Sequence, residues 1–116
     1  MNELYKKPQP KHDWAKVEWP SVDHNDNNGQ LNWTDQMFGV IDAVHQNKSE
    51  EVLPHIPEKL LRAMIFNYAH EIDGDWVVGH GDAFIKEFGR RGIPKAELIS
   101  ILPDYIQEEF IEKYEN

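Results

Sequence analysis

The sequence predicts a mainly α fold: a single small domain of five or six short helices with an extended N-terminal arm. Three observations predict it. Beyond about residue 30, apolar side chains recur at three- and four-residue steps, the period of a helical face. Most of these runs open on a helix-starting residue and close near a glycine or a proline. Only Trp76 to Val78 has the look of a strand. A chain of 116 residues can bury one modest core and has no room for a second. The arm is read as residues 1-30 and the helical domain as residues 31-116.

The arm is poor in aliphatic residues and carries Pro8, Pro10 and Pro20, with Trp14, Val17, Trp19 and Val22 as its apolar anchors. It is also slightly basic, through Lys6, Lys7, Lys11 and Lys16. Asn32 or Thr34 can cap a first helix whose face is Trp33, Met37, Val40, Ile41 and Val44, ending between His45 and Lys48. Ser49 caps a short turn, SEEVLPH, with Glu50 and Glu51 at its positive end and Pro54 stopping it. Pro57 occupies the first position of a central helix running to about Glu71, where its missing donor costs nothing. The face formed by Leu60, Leu61, Met64, Ile65, Tyr68, Ala69 and Ile72 is predicted to be buried.

An acidic, glycine-broken loop follows. Asp82 then caps a helix with Ala83, Phe84, Ile85 and Phe88 as its apolar set, closed by Gly89 or Gly92. Pro94 starts a short helix that Pro103 ends. Asp104 caps the last one, in which Tyr105, Ile106, Phe110, Ile111 and Tyr114 form a broad apolar side and Glu108, Glu109, Glu112 and Glu115 line the other.

Twenty-one acidic against twelve basic side chains give a formal charge of −9, a field that repels phosphate backbones and anionic lipid and attracts cationic surfaces. A basic protein partner is favoured, with no direct nucleic acid and no membrane. With no cysteine there is no disulfide, thiolate metal site or thiol nucleophile, and a reducing compartment costs the chain nothing. No run approaches membrane-spanning length, and the start MNELYKKPQPKHDW lacks the apolar core of a signal peptide, so the expected location is cytoplasmic.

The densest group of chemistry-bearing residues is HEIDGDWVVGHGD, which holds His70, Glu71, Asp73, Asp75, His80 and Asp82. Counted from Glu71, the carboxylates Glu71, Asp73, Asp75 and Asp82 stand at positions one, three, five and twelve, and the stretch resembles the calcium loop of the EF-hand family. It departs from that pattern at Trp76, which replaces the turn glycine, at Asp82, which replaces the long bidentate glutamate, and at Glu71, which replaces the opening aspartate. A second stretch of similar spacing, HNDNNGQLNWTD, runs from His24 to Asp35. His70, His80 and Asp82 are alternatively a candidate set for zinc or iron, without an HExxH pair to fix them on one helical face.

Other templates are absent. Ser21, Ser49 and Ser100 lie in no glycine-flanked elbow, and Gly79, Gly81, Gly89 and Gly92 form no phosphate-cradling fingerprint, so no enzyme and no cofactor are expected. Lys86, Arg90, Arg91 and Lys95 cluster in FIKEFGRRGIPKAELISIL, but the second helix of that segment offers few groove-facing donors. Favourable charges at a helix end account for it more simply.

Two acidic zones remain, Asp23 to Glu58 and Lys95 to Asn116. In the second, Asp104, Tyr105, Glu108, Glu109, Glu112 and Tyr114 interleave carboxylates with tyrosines, as a surface that steers and anchors a basic protein does. The alternative is a solvated face that keeps a small protein soluble. In size and charge the chain resembles immunity proteins that block nuclease toxins and phage proteins that mimic nucleic acid. That resemblance implies a non-enzymatic inhibitor occluding the basic groove of a nuclease or other nucleic-acid-handling enzyme. The alternative function is metal binding around residues 70–82.

Overall fold

A computed structural model describes residues 14–20, 31 and 33–114. Helix makes up 77% and no strand occurs among the described residues, so the mainly α expectation holds. The α-helices are α1 (Asp35–His45), α2 (Ser49–Val52), α3 (Glu58–Asn67), α4 (Gly74–Gly79), α5 (Gly81–Arg90), α6 (Lys95–Ser100) and α7 (Asp104–Tyr114). A 3₁₀ turn at Trp14–Lys16 precedes them, a second at Leu53–His55 follows α2, and a π-turn at Tyr68–Ile72 extends α3.

The count exceeds five or six because α4 forms where a loop and a strand-like run were expected. An isolated strand of three residues leaves its N–H and C=O groups without partners. One helical turn behind a cap satisfies them instead: Asp73 is extended and its carboxylate accepts from the Trp76 N–H at 3.1 Å. Val77 and Val78 are thereby buried.

The helix ends follow local chemistry. Thr34 caps α1, accepting from the Met37 N–H at 3.2 Å. Asn47, at φ 66°, takes the left-handed turn after α1 that asparagine tolerates better than most residues. Pro57 and Pro94 flank the starts of α3 and α6, and Gly92, at φ 81°, reverses the chain after α5 so that the Ile93 N–H meets the Phe88 carbonyl at 2.8 Å. Ser49 and Asp104 are first helical residues, not caps, and Asp82 lies in the first turn of α5, one residue inside its start at Gly81.

One core runs through α1, the α2 corner, α3, α5 and α7. Phe88, Leu98 and Phe110 are inaccessible, and Met37, Leu53, Leu60 and Leu61 nearly so. Ile72 departs from its expected burial and is exposed. The π-turn inserts one extra residue, which rotates everything after it by about 100° from the face defined by Leu61 and Ile65. Ile111 and Tyr105 are likewise exposed, so the buried side of α7 is the narrower pair Ile106 and Phe110.

Of the arm, only residues 14–20 are described. There Trp14 and Trp19 stack at 5.9 Å, and the Trp14 ring packs over Gly39 of α1. The lysine-rich start and most of the second calcium-like stretch lie outside the described residues.

Candidate functional site

The acidic surface is built on α7, and α7 is fastened to α4 and the π-turn at both ends. Near its start the Tyr105 hydroxyl donates to the Ala69 carbonyl at 2.5 Å; at its end the Tyr114 hydroxyl donates to the Val78 carbonyl at 2.5 Å. Between them Ile106 and Phe110 enter the core. The Phe110 and Tyr114 rings, 4.7 Å apart, both pack against Gly81, where helices approach so closely that a Cβ would lie 2.5 Å from the Phe110 ring. Lys95 adds a hydrogen bond to the Tyr114 carbonyl at 3.1 Å, a cation at the negative end of the helix.

With that seam fixed, Asp104, Glu108, Glu109 and Glu112 all face solvent. Asp104, Glu108 and Glu112 follow at four-residue steps, an arrangement of like charges that weakens a helix by about 0.2–0.5 kcal/mol per pair. Glu108 and Glu109 have no ion pair among the described residues. Tyr105 keeps 64% of its surface exposed although its hydroxyl is tied down. Tyr114, expected on the same surface, lies half-buried in the seam and holds α7 in place.

Several cations of the fold are engaged with carboxylates. Arg62 bonds both Glu58 and Glu97, and Lys86 pairs with Glu50. The basic cluster around Arg90 is an internal clamp. Glu87, 5% exposed, accepts from Arg90 at 2.7 Å and from Arg91 at 2.6 Å. Arg91 also donates to the Leu53 and Ile56 carbonyls at 2.8 and 2.7 Å, tying α5 to the 3₁₀ corner. Burial pushes the Glu87 carboxyl up, but the two guanidinium groups outweigh it and hold the group below its ordinary range.

Beside the acidic face lies an open groove of about 820 Å³ between α3 and the α6–α7 corner. Phe66, His70, Ile101, Pro103 and Tyr105 line it, with Arg62 and Asp104 on its rim. Phe66, 40% exposed, stacks on His70 at 5.5 Å with the rings 8° from parallel. The sequence carried a signal for this groove that was not read: Phe66 is a large apolar residue off the buried face of α3.

The histidines and carboxylates of residues 70–82 are spread along helices, not gathered by a loop. His70 is on the π-turn, Glu71, Asp73 and Asp75 are exposed, and Asp73 is the α4 cap. His80 packs on Trp76 at 4.6 Å and lies 6.0 Å from the His45 ring. Burial, then the neighbouring His45, lower its pKa. Among the described residues no three His, Asp or Glu side chains come together as a metal-holding group. Of the four carboxylates in the calcium-like spacing, Glu71 lies on the π-turn, Asp73 caps α4, Asp75 is in α4 and Asp82 is in α5, so they do not share one loop.

Among the described residues no helix is long and apolar enough to cross a membrane. Comparison of the chain with protein-family models, with curated proteins and with solved structures gave no match.

Proposed function

We propose that the chain is a small, non-enzymatic binding protein of the cytoplasm that inhibits a nucleic-acid-handling protein, such as a nuclease, by covering its basic surface. One observation carries it: Asp104, Glu108, Glu109 and Glu112 are presented outward on a helix held by two buried side chains and two tyrosine hydroxyl bonds. A helix backbone already held in place has no ordering cost of its own on meeting a cationic partner. Their mutual repulsion within α7 is relieved when partner cations neutralise them. The −9 formal charge steers such a partner at long range, and Tyr105 supplies an exposed aromatic contact beside the acids.

Occlusion is the mechanism. The carboxylates occupy positions that phosphates take on the partner, so the nucleic acid is excluded without any bond being broken in the inhibitor. The test uses a panel of purified basic nucleic-acid-handling proteins, nucleases included, assayed for nucleic-acid binding or cleavage with and without the chain. Inhibition of a panel member that fades with added salt supports the function. Activity unchanged across the panel contradicts it.

A further inference from the structure

The groove between α3 and the α6–α7 corner has features that a solvated surface does not need. Its apolar lining includes Phe66 and Tyr105, two of the large hydrophobic side chains most exposed on the protein. Both are held in place: Phe66 by its stack on His70, Tyr105 by its hydroxyl bond to Ala69. The groove is open to solvent and offers about 820 Å³.

Charge selects the occupant. Arg62, which lines the groove, is bonded at 2.9 Å to Glu58 and at 2.7 Å to Glu97, so its guanidinium is met by two carboxylates. Asp104 also lines the groove, with Glu108 one helical turn beyond it. An apolar lining with surplus carboxylates in and beside it matches an amphipathic helix with basic flanks. A second copy of the chain is disfavoured, since each copy carries −9.

We propose that this groove docks a basic amphipathic helix of the protein partner, with its apolar residues on Phe66, Ile101 and Tyr105 and its cations toward Asp104 and Glu97. The groove rests on the binding function proposed above and extends it from a steering face to an anchoring site. Phe66, on α3, is then the main apolar anchor, away from the α7 acids.

The experiment titrates the ¹⁵N-labelled full chain with an amphipathic peptide of leucines at helical spacing and arginines elsewhere. A peptide with glutamate in place of arginine is the control. The expected result is amide shifts centred on Phe66, His70, Ile101 and Tyr105 with the arginine peptide alone. Binding should weaken about tenfold in Phe66→Asn and in Asp104→Lys, each checked for native helix content. Wild-type affinity in both folded variants overturns the groove, as does the absence of any shift in its amides. Shifts confined to Glu108, Glu109 and Glu112 also overturn the groove while leaving the acidic face intact. Groove shifts that persist in the Glu108→Lys, Glu109→Lys, Glu112→Lys triple variant support the groove, even where that variant still inhibits in the nucleic-acid assay and the acidic face fails.

Discussion

Replacing Arg91 with methionine tests the clamp that joins α5 to the corner after α2. The Arg91 side chain is 14% exposed and makes three hydrogen bonds, to Glu87 at 2.6 Å and to the Leu53 and Ile56 carbonyls at 2.8 and 2.7 Å. Methionine keeps most of the apolar stem but leaves two carbonyls without that donor and a buried carboxylate with Arg90 as its remaining guanidinium partner. Losing three hydrogen bonds from a charged donor, at about 1–1.5 kcal/mol each, costs about 3–5 kcal/mol. Set against a total of about 5–15 kcal/mol for a domain, that is a large share. With a urea slope of about 1–3 kcal/mol/M, the unfolding midpoint should fall by about 2 M. Lys86→Met is the control, because Lys86 and Glu50 are each 72% exposed and water screens their pair. It should leave the midpoint unchanged. Equal midpoints for Arg91→Met and Lys86→Met in equilibrium urea unfolding followed by circular dichroism would refute the clamp.

Gly81→Ala and Gly89→Ala should act in opposite directions. The first drives a methyl into Phe110 and Tyr114 and should destabilise by about 1–3 kcal/mol, whereas the second adds a methyl in open space within α5 and should stabilise by about 0.5–1 kcal/mol; thermal unfolding reads both. Acid should weaken the fold in two stages. The lowered His80 pKa gives stability that is full above the unfolded value of about 6.5 and is lost as pH falls below it; the lowered Glu87 pKa does the same below about 4.5. Melting temperatures across pH should show both stages, and His80→Gln should remove the first. Glu108→Lys should leave the melting temperature equal to or above that of the wild type, since the new lysine stands four residues from both Asp104 and Glu112.

The long amphipathic elements were legible because their apolar period was strong: α1, α3 and α5 fall where Met37 to Val44, Leu60 to Ile65 and Phe84 to Phe88 put them. The α4 turn was not, because Trp76, Val77 and Val78 suit a strand by type, and the absence of a pairing neighbour is a property of the whole fold. Nor does composition announce a π-turn, so the phase slip that exposes Ile72 was hidden. For the candidate site, the solvent-facing acids of α7 were readable from their spacing. What Tyr114 does was not, since an amphipathic helix shows which side it buries and not which carbonyl a hydroxyl will find. The Arg90–Arg91 pair read correctly as a helix-end feature, but the tie it makes from Glu87 to the distant Leu53 corner is a property of the folded chain.

The most direct measurement of the central claim is the association rate of the wild-type chain with an inhibited basic nucleic-acid-handling protein, followed across salt concentrations alongside the triple variant. A rate that falls steeply with salt for the wild type, and is slow with little salt dependence for the charge-reversed chain, is the predicted result. Equal rates and equal salt slopes for the two chains would contradict it.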